Sequence, residues 1–164
     1  SVAKSPLREA IRTSWASILR VIGLFVIFNI GYYVVFTYLP AAWNAQWEGF
    51  AKAYYAADSL GIVEKTHGPM FKALHEEKKN FASLDELAQW YAGYGVKPDA
   101  FLSAFNSMTT MAGIEHSKAL VPQYGIDGTP TVVVAGKYRV TGGRTWDDVL
   151  RIADHLIAME RAKR

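Results

Sequence analysis

The chain has 164 residues, a length that suits one domain with an appendage, and its 51% hydrophobic and 13% aromatic content excludes a wholly disordered polypeptide. It contains no cysteine, which excludes a disulfide framework and thiolate metal sites and leaves the redox compartment open. The net charge is +3, and much of the basic excess sits at the ends (Lys4, Arg8, Arg12 and Arg20; Arg161, Lys163 and Arg164), so no basic stripe interleaved with aromatics marks a nucleic-acid surface.

From Val21 to Leu39 no residue is charged. As a helix this run is about 28 Å long at 1.5 Å per residue, close to the roughly 30 Å of a bilayer core. Basic residues precede it and the next charge is Glu48, so the positive-inside rule predicts a cytoplasmic N-terminus and places everything after Pro40 across the membrane. Tyr32, Tyr33 and Tyr38 suit an interfacial belt. A secretory signal peptide is the rival, countered by the length of the run and by Ser1 standing where a methionine would. A buried core segment is the third option. Within the same run, Gly31 to Tyr38 is rich in aromatic and β-branched residues and reads equally well as a buried strand. The helix and the strand exclude each other.

The remainder reads as α-rich. Trp43 to Leu60 carries Trp47, Phe50, Ala51, Tyr54, Tyr55 and Ala57 at helical spacing and stops at Gly61. A second helix is predicted from Pro69 to about Lys79, with Met70, Phe71 and Leu74 inward. Ser83 with Glu86 forms a capping box for a third, Pro98 opens a fourth through Phe105, and a fifth runs from Ser107 to Tyr124 and closes at Gly125. The period then changes. Thr131 to Val134 and Tyr138 to Thr141 read as strands of a hairpin turning at Ala135-Gly136. After Gly142-Gly143, Thr145 caps a last helix whose apolar side is Trp146, Val149, Leu150, Ile152, Ala153, Leu156 and Ile157.

Few residues carry chemistry. His75-Glu76-Glu77-Lys78-Lys79 begins like a zinc-protease helix but lacks the second histidine at i+4, and His67, His116 and His155 have no neighbours at ligand spacing, so no metal site is predicted. Neither a nucleophile elbow nor a phosphate loop is present. The sharpest local signal is Gly128-Thr129-Pro130-Thr131. A proline that begins a strand after Gly-Thr favours a cis bond, because X-Pro bonds lose most of the trans preference. The alternative is an ordinary trans proline at a strand start.

Taken as a set, Leu39-Pro40-Ala41-Ala42-Trp43-Asn44, Ala53-Tyr54-Tyr55-Ala56-Ala57, Tyr94-Gly95-Val96, Phe105-Asn106-Ser107 and Ile126 to Thr131 leading into Val134 to Tyr138 resemble the DsbA family of thiol:disulfide oxidoreductases. That resemblance implies a thioredoxin fold with an inserted helical domain, and it implies that Thr129 and Pro130 belong to a peptide-binding cis-proline loop. There the backbone of Thr129 would pair with an extended polypeptide as an added strand. The family's first strands and the helix that opens with Cys-x-x-Cys, expected upstream of Pro40, have no counterpart in the sequence. In their place, Ser5-Pro6-Leu7-Arg8-Glu9-Ala10 and the apolar run resemble a helix of a major-facilitator metabolite:proton symporter, and the two resemblances meet within Phe36 to Pro40.

The expected architecture is therefore α+β, mostly α: a truncated thioredoxin-like fold of the DsbA type with a helical insertion, behind a long hydrophobic N-terminal helix. Residues 1–39 would be that helix, an anchor in the inner membrane. Residues 40–164 would be a periplasmic DsbA-like domain, with 43–125 helical and 126–164 supplying the hairpin and last helix. Without a thiolate the chain cannot exchange disulfides, so no catalytic residue and no cofactor is predicted. The remaining partners would be the membrane and, weakly, extended polypeptide at Thr129 and Pro130. The alternative is a transporter fragment or fusion without independent function.

Overall fold

A computed structural model describes residues 24–30, 33–141 and 143–163. Residues 24–39 supply two strands in place of the expected helix. β1 (Leu24–Ile30) and β2 (Tyr33–Leu39) pair antiparallel, from Leu24 opposite Leu39 to Ile30 opposite Tyr33. The expected membrane helix is thereby corrected over 24–30 and 33–39, and among the described residues no helix is long and apolar enough to cross a membrane. The earlier part of the expected anchor, with its basic flank and the transporter-like Ser5–Ala10 segment, lies outside the described residues.

The sheet order β2-β1-β3-β4 explains why the sequence imitates a membrane span. β1 has a strand on either side, pairing in parallel with β3 (Thr131–Val134) from Leu24 opposite Thr131 to Ile27 opposite Val134. Strands inside a sheet covered on both faces read as continuous apolar runs, without the alternation of a half-exposed strand. Length and lack of charge then fit a membrane helix as well as they fit two sheet strands. The β-branched and aromatic content was the discriminating signal, and the strand alternative over Gly31 to Tyr38 is realised as β2.

β3 turns into β4 (Tyr138–Val140), with Val132 opposite Val140 and Val134 opposite Tyr138. The connection is three residues, Ala135 to Lys137, with positive φ at both Ala135 (+55°) and Gly136 (+67°), its turn closed by Lys137 N donating to Val134 O at 3.0 Å. That geometry matches the right-handed twist of the flanking strands.

The chain divides into two compact units, one of residues 1–39 with 120–164 and one of residues 40–119. In the first, alternation along β3 sends side chains to two cores. Val132 and Val134 join Val140, Ala153 and Ile157, with Tyr38, Trp146, Val149, Leu150, Ile152 and Leu156 packed around them. Val133 joins Leu39, Leu120 and Ile126 on the opposite face. The last helix, Trp146–Ala162, thus buries the side predicted for it. Its start is a complete capping box: Thr145 Oγ1 accepts from Asp148 N, and Asp148 Oδ2 accepts from Thr145 N, both at 3.3 Å.

In the second unit, α1 (Ala45–Ser59) is capped by Asn44, whose Oδ1 accepts from Trp47 N at 2.9 Å. Its most buried residues are Ala51, Ala53, Ala56 and Ala57, while the aromatics expected to face inward flank them half-buried. α2 (Val63–His75) starts well before the predicted Pro69, which sits inside it. Thr66 is buried there and donates to Ile62 O at 2.9 Å, so a polar residue in the first turn concealed the helix from an apolar reading. α3 (Leu84–Ala92) follows Ser83, which accepts from Glu86 N at 3.1 Å; the Glu86 carboxylate reaches back one residue further than a capping box, to Ala82 N at 2.9 Å. α4 (Pro98–Phe105) has Pro98 in its first turn. Its Phe101 is fully buried and stacks on Tyr91 with centroids 4.2 Å apart. α5 (Met108–Gln123) begins in this unit and is tied to α4 by Thr110 Oγ1 donating to Ala104 O at 2.8 Å. The helix Trp146–Ala162 is α6.

Candidate functional site

The segment from Gly125 to Thr131 connects the end of α5 to β3, and local chemistry fixes each end of it. α5 closes in a Schellman turn: Ile126 N donates to Val121 O at 2.9 Å and Gly125 N to Pro122 O at 3.0 Å, with Gly125 at φ +60°. Glycine suits that left-handed position because it has no Cβ to clash. The hydrophobic contact that accompanies such turns is present, since Ile126 is buried with Leu39, Leu120 and Val133 and Val121 packs against that cluster. At the other end, Thr131 Oγ1 donates to Gly128 O at 2.6 Å.

Between these ties stand Thr129 and Pro130, both half-buried, joined by a cis peptide bond. They are the two residues singled out from the sequence, and they lie side by side at the apex of the loop, immediately before β3. β3 is interior to the sheet, paired with β1 and β4. The apex itself precedes both ladders, which begin at Thr131 and at Val132. Among the described residues no hydrogen bond is made to the backbone N–H or C=O of Thr129. Most backbone groups in a folded protein are paired, so a half-exposed residue that makes no backbone hydrogen bond among the described residues is a candidate place for another strand to pair.

The sequence did not single out Arg139 and Asp127. Arg139 Nη1 donates to the Gly125 carbonyl and lies 3.2 Å from Asp127 Oδ1. The available signal was a lone cation between Tyr138 and Val140: in a strand whose neighbours turn to the α6 face, Arg139 faces the end of α5 with its cross-strand partner Val133. The histidines stay apart in role. His67 packs edge-on against Tyr54 with its pKa lowered by burial, and His75 stacks on Phe71 at 4.6 Å. No group of three His, Asp or Glu side chains that could hold a metal occurs among the described residues.

A parallel-antiparallel sheet ending in a hairpin and a capped helix, with a cis-proline loop leading into an interior strand and helices inserted before it, defines a thioredoxin-type fold with a helical insertion. The chain belongs to the DSBA-like thioredoxin domain family, whose match covers residues 31–153. It is similar to the thiol:disulfide interchange protein DsbA of Pseudomonas aeruginosa, 37% identical over 131 residues, which are 79% of this chain and 62% of that protein. The chain therefore spans about three-fifths of the length of the curated relatives it matches. The crystal structure of the oxidoreductase DsbA from Xylella fastidiosa superposes with a TM-score of 0.75 at 36% identity, covering 86% of this chain and 87% of that one. A Proteus mirabilis DsbA, crystallised with a non-covalently bound peptide PWATCDS, shares the fold at 20% identity and a TM-score of 0.61, over 72% of this chain and 65% of that one. The transporter alternative gains no support from these likenesses.

One departure concerns the site directly. Only Gly31 and Tyr32 separate β1 from β2, whereas a crossover carrying a helix needs a dozen or more residues. No helix of the Cys-x-x-Cys kind fits between these two strands, and the 164 residues contain no cysteine to place on one.

Proposed function

We propose that this chain is a redox-silent member of the DsbA family that captures extended polypeptide at Thr129 and Pro130. The observation that carries the reading is that, among the described residues, nothing hydrogen-bonds to the backbone N–H and C=O of half-exposed Thr129, beside a sheet in a loop held at both ends. Pairing there needs no thiol. Disulfide exchange does, because a thiolate must attack sulfur, and a chain with no cysteine has none to offer. Capture is weak: one residue's backbone pair and the flank of a proline bury far less than a standard interface, which puts Kd at roughly 0.1–1 mM. The peptide held by the Proteus mirabilis DsbA supports the class of partner, a peptide bound without a covalent link. Nucleic acid is not among the partners proposed, and the periplasm is the compartment that the family resemblance favours.

The test is a two-dimensional NMR titration of the full chain with the heptapeptide PWATCDS carrying serine in place of its cysteine. Shifts should concentrate on the amides of Gly128, Thr129 and Thr131. No shift at millimolar peptide, or shifts confined to the helices of residues 40–119, would overturn the proposal.

A further inference from the structure

We infer that Arg139 is the positioning residue of the Thr129–Pro130 loop, setting where the open backbone of Thr129 lies relative to β3. The inference deepens the peptide-capture reading and rests on it for its consequence, though not for its test. Arg139 belongs to β4, the strand that borders β3, and it sits directly opposite Val133. Its guanidinium therefore leaves from the same sheet that the loop enters and reaches the segment on the far side of the loop. Nη1 carries two protons, and two acceptors stand before it: the Gly125 carbonyl at the close of α5 and the Asp127 carboxylate.

The geometry gives these contacts a particular job. After the Schellman turn the chain has one buried anchor, Ile126, and from there to Thr131 the one other tie is the Thr131 hydroxyl on Gly128 O. Asp127 stands between, with its side chain 85% exposed and no burial to hold it. Arg139, whose side chain is only 32% exposed, supplies the missing point, so the loop is fixed at Gly125, Ile126, Asp127 and Gly128 before it reaches the apex. The guanidinium also lies over Gly125, 4.0 Å from where a Cβ would stand. A partner strand can pair with Thr129 only when that residue is held in register with β3. A loop free to swing would lose orientation on binding and weaken capture.

Two substitutions separate donation from packing. Arg139→Met keeps an apolar side chain of similar reach along the stem and removes the guanidinium donors; Arg139→Lys keeps a charged, multiply protonated donor. In the free chain, Arg139→Met should lower the backbone 15N order parameters of Gly128 and Thr129 from about 0.85 to below about 0.6 while Val133, in the sheet core, stays near about 0.85. Arg139→Lys should restore most of the order. In the heptapeptide titration, Arg139→Met should weaken binding by about threefold or more, with Arg139→Lys in between. Unchanged order parameters at Gly128 and Thr129 in Arg139→Met, or a fall only in step with Val133, overturn the inference. If the wild-type chain gives no peptide shifts, the capture reading falls, and the relaxation measurement still decides the role of Arg139.

Discussion

Ala135, like Lys78, holds a left-handed backbone that suits its side chain poorly. A positive φ of +55° brings its Cβ toward the carbonyl oxygen, a conformation that glycine and asparagine tolerate far better. Asn-Gly is the favoured pair for this turn, so Ala135→Asn is expected to stabilise the chain by about 0.5–1 kcal/mol, read as a raised urea midpoint with unchanged slope. A loss of stability would mean that the turn relaxes in solution. Gly113 presents the opposite constraint. A Cβ there would meet Cγ and Cδ1 of Tyr55 at 2.9 Å, and the Tyr55 hydroxyl is hydrogen-bonded to Ser117 Oγ at 2.6 Å, so the ring has little freedom to retreat. Gly113→Ala should cost about 1–3 kcal/mol by overpacking. In a Tyr55→Ala background the same change should cost under about 0.5 kcal/mol, because the clashing ring is gone. Equal penalties in both backgrounds, measured by denaturant unfolding, would contradict the packing.

At the scale of elements, a polar clasp holds the last turn of α6 to the β3–β4 hairpin. Glu160, only 9% exposed, accepts from Lys137 Nζ at 2.8 Å on Oε2 and from Lys163 Nζ at 2.7 Å and Tyr138 Oη at 3.0 Å on Oε1. These bonds, that of Lys137 foremost, bring its pKa from 4.5 down to about 2. A carboxyl depressed in the folded state adds stability that is complete above its unfolded pKa and lost as pH falls toward the folded one. Between wild type and Glu160→Gln the difference in thermal midpoint should therefore be full at pH 7, begin to shrink below about pH 4.5 and nearly vanish near pH 2. A difference independent of pH would show that the charge is not what holds the clasp. This clasp was invisible in the sequence, because Lys137 and Glu160 stand far apart along the chain and nothing local announces their meeting. The elements themselves were more legible. The hairpin, the Thr145 cap and the inward side of α6 follow from period and capping chemistry alone. The start of α2 was lost because Thr66 satisfies its own hydroxyl on Ile62 O and so passes as a polar gap. β1 was lost because an interior strand has no alternation to betray it.

For the whole molecule, the family's fold stands beside a sequence without cysteine. The Thr129–Pro130 bond is cis, and that feature was readable because glycine, proline and a following β-branched run are local signals. Arg139, which holds that loop, was not readable, since its partners lie on another element. Among the described residues, β1 and β2 form an antiparallel pair two residues apart with no crossover helix between them, and the sequence contains no thiol. On the proposed reading, such a scaffold offers a backbone to another strand and exchanges no disulfide. The most direct test is the rate at which the purified full chain oxidises a reduced dithiol peptide, followed as loss of free thiol against buffer alone. The rate should equal the uncatalysed background at every chain concentration; a rate that rises in proportion to the chain would contradict the account.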